Sequence, residues 1–411
     1  MSAPETLAVM LVLTQNGGAA RFVGGAVRNA LLGRAVSDID IATPLVPQDV
    51  IRRLEAAKIA AVPTGIEHGT VTAIVRDKPF EVTTLRRDVS TDGRRAVVAF
   101  ATDWAQDAQR RDFTINALSC RPDGMIYDPF GGIAHLAEGR ICFVGDAKQR
   151  IGEDVLRILR FFRFYAHFGR PPADKDAIGA CRMQAAKLGE LSGERVATET
   201  MKLLAANDPV PALLLMQATG VLAAILPEVK NFGRLRVLTF LESRGVMRPY
   251  LTRDCLRRLA ALIDGGRDDA LAVAACLRLS NSDSDRLANL AAPDEWPDRH
   301  MAPAHLRRLI FHAGVDLFRD LTMLSWAAAR SSEGYLPAGD TARWMALLDL
   351  TERWKPPVFP ISGEDVLALG IPAGPEVGRL LGAVRQCWVE EDFHPDRKLL
   401  LKKLAASAGA K

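Results

Sequence analysis

Arg21-Phe-Val-Gly-Gly-Ala-Val-Arg-Asn-Ala-Leu-Leu-Gly33, followed by Ser37-Asp-Ile-Asp-Ile-Ala42, decides the fold of the first third of this chain. The first stretch opens with a strand-like run, Arg21–Val23. It turns at Gly24-Gly25 and continues from Ala26 to Leu32 as a helix that Gly33 ends. The second stretch alternates polar and apolar residues with a period of two, as a half-buried strand does. Residues 47–57 then read as a helix, and 70–75 and 79–84 as strands joined by a turn at Asp77-Lys78. Short strands interleaved with helices assemble into a mixed sheet with helices packed on it.

Beyond Asp128-Pro-Phe-Gly-Gly132 the pattern changes. Apart from Arg140–Val144, β-like runs give way to Leu-, Ala- and Arg-rich helical periodicity punctuated by Pro and Gly, with no repeat of 20–50 residues. The expectation is an α+β chain: a mixed-sheet head at 1–139 followed by an all-helical remainder.

Composition agrees with several globular domains. The chain has 411 residues, 48% hydrophobic and 25% charged, which excludes disordered, collagen-like and disulfide-scaffold classes. Its formal charge is only +4, from 53 Lys and Arg against 49 Asp and Glu. The distribution says more. Residues 1–139 hold 15 basic and 16 acidic side chains, whereas 140–204 hold 12 and 8. A basic segment after a neutral head suits phosphate contacts. Six scattered cysteines without a CxxC read as reduced thiols. Glu5 precedes the apolar run Leu7–Leu13 and no Lys or Arg comes before Arg21, so no signal peptide is expected. No apolar stretch approaches the ~20 residues that span a bilayer. A cytoplasmic protein without membrane contact is the expectation.

Asp38 and Asp40 stand two apart in the expected strand, so both carboxylates project from one face. They repel each other unless a cation lies between them, and hard oxygen ligands suit Mg2+. Upstream, Gly24-Gly25 before a helix offers backbone N–H groups to a phosphate, with Arg28 one turn on. Glu81 opens a later strand as a possible third carboxylate for two-metal chemistry. Arg110 and Arg111 are candidates for phosphate contacts, and Asp112, four residues before Asn116, for accepting a ribose hydroxyl. In Gly152–Phe164, read as one helix, Asp154, Arg157, Arg160 and Arg163 form a row at i,i+3 spacing. An aspartate that accepts and an arginine that donates match the amino-donor and ring-nitrogen-acceptor edges of cytosine and adenine. Uracil and guanine present the reverse order and would leave buried groups unpaired, a discrimination of roughly 10⁴ or more.

In this order, these residues resemble the class II tRNA nucleotidyltransferases and bacterial poly(A) polymerases of the polymerase-beta superfamily. The resemblance runs through Gly24–Arg28, Leu31–Arg34, Asp38–Asp40, Glu81–Arg86, Arg110–Asn116, Asp128–Gly132 and Glu153–Arg160. Gly193-Glu-Arg195 with Glu199 is similar to the motif that braces the neck, and Gly374–Gly378 with Leu380, Leu381 and Trp388 to the C-terminal helix. It implies a polymerase-beta-like head (1–139), a neck that recognises the base (140–205), a body (206–285) and a tail that binds tRNA (286–411).

It further implies that Asp38 and Asp40 bind Mg2+ and that Gly25 and Arg28 bind the triphosphate. Arg110, Arg111 and Asp112 would meet ribose and phosphates. Asp154 and Arg157 would read the base, and Arg160 and Arg163 would add contacts to the nucleotide. Arg86–Arg95, with Arg86, Asp92, Arg94 and Arg95, resembles the flexible loop that helps switch from adding C to adding A. The implied activity is addition of C, C and A to the 3′ acceptor end of tRNA from CTP and ATP. A poly(A) polymerase, a CC- or A-adding specialist, and a catalytically silent RNA-binding protein are the alternatives. Both aspartates argue against the last. No His-Asp pair and no zinc spacing occurs among the seven histidines, so neither a phosphohydrolase domain nor a zinc site is expected.

Overall fold

β1 (Arg21–Val23) is short because Gly24 takes a positive φ of 66° immediately after it, which turns the chain into a helix. The computed structural model describes residues 1–91, 96–246, 248–334 and 338–409. The other strands are β2 (Asp40–Thr43), β3 (Ala60–Gly65), β4 (Thr70–Val75), β5 (Lys78–Thr84), β6 (Arg86–Thr91), β7 (Ala96–Phe100), β8 (Ser119–Cys120) and β9 (Ile126–Tyr127). Seven of them form one sheet in the order β3-β4-β5-β2-β1-β8-β9, while β6 and β7 pair separately as a hairpin. Among the described strands only β2 and β5 run parallel, so the sheet is mixed as expected. The helices of this part are α1 (Pro4–Thr14), α2 (Gly25–Leu31), α3 (Pro47–Ala56), α4 (Trp104–Gln109), α5 (Gly132–Glu138), α6 (Ala147–Glu153), α7 (Arg157–Phe168), α8 (Lys175–Gln184) and α9 (Gly193–Leu204).

Strand alternation gives the sheet two unlike faces. Phe22, Ile41, Val71, Ala73, Val82 and Cys120 join Val9, Met10 and Leu13 of α1 and Val50 and Leu54 of α3 in one buried core. Asp40 and Glu81, Cα partners in the parallel ladder, project from the opposite face. There Val23, Ala42, Leu85 and Ala101 pack with Trp104 in a smaller core.

Three boundaries depart from the sequence expectations. β2 begins at Asp40 because the ladder to Glu81 begins there, so Asp38 precedes the strand and is exposed. The β4–β5 turn sits at Arg76-Asp77, both with positive φ, one residue before the expected place. Arg140–Val144 is not a strand; Phe143 makes only an isolated bridge to Phe113. What those residues supply instead is aromatic packing. The rings of Phe113 and Phe143 lie 4.8 Å apart, and those of Phe113 and Phe164 lie 5.1 Å apart, joining α7 to the head's last segment.

The chain divides into two compact units, Met1–Pro227 with Cys276–Leu279, and Glu228–Ala275 with Ser280–Lys411. All the candidate site residues fall in the first unit. The second is helical throughout its described elements, the longest being Val315–Glu333. Its interior holds Arg257 and Arg258, both bonded to Glu242, with Arg257 also donating to Asp320 at 2.7 Å. A separate core gathers Leu380, Val384, Trp388, Leu400 and Leu404.

Candidate active site

The turn after β1 is built for close approach. A Cβ on Gly24 would stand 3.2 Å from the Arg111 guanidinium, at a φ that L side chains rarely adopt. Arg28 of α2 is buried behind the turn. It donates to Asn116 Oδ1 at 2.5 Å and to Asn29 Oδ1 at 3.0 Å, and it lies 4.2 Å over the Phe168 ring. Burial pulls its pKa down to about 10, with Arg163 adding to the effect and Asp112 opposing it. A buried cation held this way, beside a glycine turn, suits a polyanion.

Asp38 and Asp40 are close enough to influence each other. Burial raises the Asp40 carboxyl above its ordinary range, Arg111 opposes this, and the Asp38 charge adds to it. A divalent cation between two such oxygens would remove that penalty, so the donor set fits a hard metal ion. Among the described residues no three His, Cys, Asp or Glu side chains converge as a metal-holding group. Glu81 therefore lies in register beside Asp40 without completing a triad. An ion held by the two aspartates would fill its shell from phosphate and water oxygens.

Asp107, only 3% exposed, is not a candidate site residue by sequence but one of the acids that bracket Arg110 and Arg111, and it joins several of the candidates. It accepts from Arg110 Nε at 3.0 Å, Arg111 at 2.9 Å and the Arg86 backbone N–H at 3.3 Å. Burial raises its carboxyl, but Arg111 and Arg110 outweigh that and hold it below the usual range. Arg150 of α6 clamps the same segment through the carbonyls of Arg110 and Arg111 at 2.5 and 2.8 Å. Arg86 opens the β6–β7 hairpin; Asp92, Arg94 and Arg95 lie outside the described residues.

Asp112 has both oxygens engaged. Oδ1 accepts from Phe113 N at 2.9 Å and Asn116 Nδ2 at 3.1 Å, and Oδ2 accepts from Arg160 Nε at 2.8 Å. Burial opposes its ionisation, but Arg160 leads the interactions that hold its carboxyl below the usual range. A ribose hydroxyl would add to this set or displace one member. Arg163 is tied to Glu199 at 2.9 Å.

Asp154 and Arg157 do not lie on one continuous helix. α6 ends at Glu153, Asp154 is extended with φ −153° and ψ 108°, and α7 starts at Arg157. Asp154 closes an Asx turn ahead of the new helix, accepting from Leu156 N at 3.1 Å. Its two oxygens each lie 3.0 Å from the same Arg195 nitrogen. Arg157 instead donates to Glu153 Oε2 at 2.6 Å and to the Arg150 carbonyl at 2.5 Å. Asp154 and Arg157, placed in one i,i+3 row by the sequence, thus engage separate partners. The i,i+4 spacing of Glu153 and Arg157 could have disclosed one pairing. Arg195, 41 residues from Asp154, leaves no local signal of the other.

The chain is similar to known proteins over most of its length. Residues 20–142 match the family model described as the Poly A polymerase head domain. Residues 174–232 match the one described as a probable RNA and SrmB-binding site of polymerase A. The chain is 35% identical over 388 residues to mouse CCA tRNA nucleotidyltransferase 1, mitochondrial, covering 93% of this chain and 85% of the relative. It is 31% identical over 407 residues to the CCA-adding enzyme of Geobacillus kaustophilus, covering 96% and 94%. The structure of the Bacillus stearothermophilus CCA-adding enzyme in complex with CTP matches with a TM-score of 0.72 and 27% identity, over 98% of this chain and 97% of that one.

Proposed function

The chain belongs to the family of CCA-adding tRNA nucleotidyltransferases, and from that premise we propose that it adds C, C and A in turn to the 3′ end of tRNA, using CTP and ATP and releasing pyrophosphate. The observation that carries the reading is the break between α6 and α7. Asp154 is anchored there by Arg195 and Arg157 by Glu153, an acceptor and a donor each held by its own partner. A protein surface can then do the work of a template. Cytosine and adenine both offer an amino group beside a ring acceptor and pair with such a set, whereas uracil and guanine leave it unpaired.

In this reading Gly24, Gly25, Arg28, Arg110 and Arg111 receive the triphosphate, and Asp112 with Asn116 orients the ribose side. Arg160 and Arg163 hold Asp112 and the neck in place. Asp38 and Asp40 hold the family's divalent metal, taken here to be Mg2+, which when bound stabilises charge on the reacting phosphate and lowers the pKa of the attacking hydroxyl. Glu81 stands beside Asp40 as an auxiliary carboxylate. The functional segments are the head (1–139), neck (140–205), body (206–285) and tail (286–411), the last two being the RNA-binding part. No described helix is long and apolar enough to cross a membrane. The cytoplasm is the proposed compartment.

The test is incorporation of labelled nucleotide into tRNA lacking its 3′ end. CTP is expected to enter before ATP, and Asp40→Ala is expected to lower incorporation by roughly 10³-fold or more. An A ladder without prior C would indicate poly(A) synthesis. Full activity of Asp40→Ala would refute the metal assignment.

A further inference from the structure

Beside the carboxylates, the catalytic face of the sheet holds a cavity of about 430 Å³ to which the reading above assigns only Arg111. Among its lining residues are Arg21, Trp104, Arg111, Ser119 and Tyr127. Strand register fixes where it lies. Phe22 pairs with Ile41, and continuing that antiparallel register sets Val23 level with Asp40. Val23 pairs with Ser119, and Ser119 with Tyr127. One row on one face therefore runs Glu81, Asp40, Val23, Ser119, Tyr127. Arg21 is two residues along β1 from Val23 on the same face, so its Cα stands roughly 8 Å from that of Asp40.

The Arg21 guanidinium is held between two rings, its carbon 4.0 Å from the Trp104 centroid and 3.5 Å from that of Tyr127. Two rings this close to the guanidinium carbon favour a ligand that meets the edge of the plane, which carries the N–H fork. A single long bond to Ser119 Oγ, at 3.4 Å, engages it. Burial lowers the pKa of Arg21, with Tyr127 opposing and the nearby cation Arg121 adding to the effect, and among the described residues it has no carboxylate partner. The acids of the cavity are occupied elsewhere. Asp103 caps α4, Asp128 accepts from Gly132 N and Ile133 N at the start of α5, and Asp107 is bound by Arg110 and Arg111. The cation left uncommitted is Arg21, presented edge-on in a cavity that it shares with Arg111.

We propose that Arg21 is a phosphate-receiving residue on the catalytic face, oriented by Trp104 and Tyr127 to engage phosphate oxygens in the plane of its guanidinium. A fixed fork and a phosphate match in geometry and charge, and stacking removes the rotamer freedom that an exposed arginine would lose on binding. The phosphate comes either from the backbone of the RNA acceptor as its 3′ end approaches Asp38 and Asp40, or from the pyrophosphate leaving that site. The proposal rests on the nucleotidyltransferase reading, and its test is arranged to separate the two.

The full chain is compared with Arg21→Gln and Arg21→Lys in two arms. The first measures binding of a tRNA acceptor-stem hairpin by fluorescence anisotropy across a salt series without nucleotide. The second measures inhibition of CTP incorporation by inorganic pyrophosphate. If Arg21 holds the acceptor, Arg21→Gln weakens hairpin binding roughly tenfold and lowers the salt slope by about 1, with the KM for CTP unchanged. If it holds the product, hairpin binding is unchanged and the inhibition constant for pyrophosphate rises roughly tenfold. In either case Arg21→Lys, which keeps the charge without the fork, recovers part of the loss. The proposal is overturned if both constants stay within about twofold of the parent chain, or if hairpin and CTP affinities fall together with thermal stability, as a packing role would require. A parent chain that binds the hairpin but incorporates no CTP would refute the underlying reading, and the first arm would still judge Arg21.

Discussion

Asp40 is subject to two opposed demands. In its proposed role it must stay ionised to hold a cation, yet burial and the Asp38 charge raise its carboxyl pKa against the opposition of Arg111. A carboxyl whose folded value is raised is ionised at neutral pH at the expense of stability, a loss absent once pH falls below the unfolded value of about 3.9. Asp40→Asn is therefore expected to abolish incorporation and to raise the melting temperature at pH 7, with no such gain near pH 3. Differential scanning calorimetry at both values checks it, and a lower melting temperature at pH 7 would contradict it. Asp112 has the opposite sign. Burial is outweighed by Arg160, so its folded value is depressed and it contributes stability above about pH 4 that is lost as pH falls through the folded value. Asp112→Asn should lower the melting temperature at pH 7 and make its decline between pH 5 and pH 2 shallower than in the parent chain. A decline of equal steepness would show that other groups carry it.

At the scale of elements, the proposed base selection rests on the junction of α6 and α7, which α9 braces through Arg195. Arg195 projects from α9 onto Asp154, while Glu194 of the same helix pairs with Arg278 at 3.0 Å. Arg195→Met is expected to free the Asp154 carboxylate and erode exclusion of UTP and GTP by roughly tenfold or more, with Arg195→Lys restoring part of it. Single-turnover incorporation of each nucleotide reads this out; unchanged selectivity would remove Arg195 from the account. This junction also marks the limit of what the sequence disclosed. β1, α2, α3, β4 and β5 were legible because period-two or helical patterns end at Gly or Pro. The break at Asp154 was not, since Glu153 through Phe164 keeps helical spacing and only a partner 41 residues away draws Asp154 out of it. The two-residue strands β8 and β9 are too short to show a period. Asp107 was visible as an acid near two arginines, but not as the link to the Arg86 backbone.

For the whole molecule, a formal charge of +4 averages a neutral head and a basic segment after it, and the chain forms two compact units. The first holds every candidate catalytic residue. The second depends on a buried group in which Glu242 accepts from both Arg257 and Arg258 while Arg257 also reaches Asp320. Removing one member leaves charge buried without compensation, so Glu242→Gln should destabilise the second unit by ~3–5 kcal/mol. CTP affinity, proposed to reside in the first unit, should remain. Urea unfolding followed alongside nucleotide binding tests that separation, and parallel loss of both would contradict it. The central claim is more specific: a surface built on Asp154 and Arg157 selects C, C and then A without a template. Its most direct measurement is sequencing of the 3′ ends formed on tRNA lacking its terminus, with all four nucleoside triphosphates and Mg2+ present. The account predicts ends that read CCA and stop, and loss of that order in Asp154→Ala; A tracts, mixed bases or an unchanged order in that variant would contradict it.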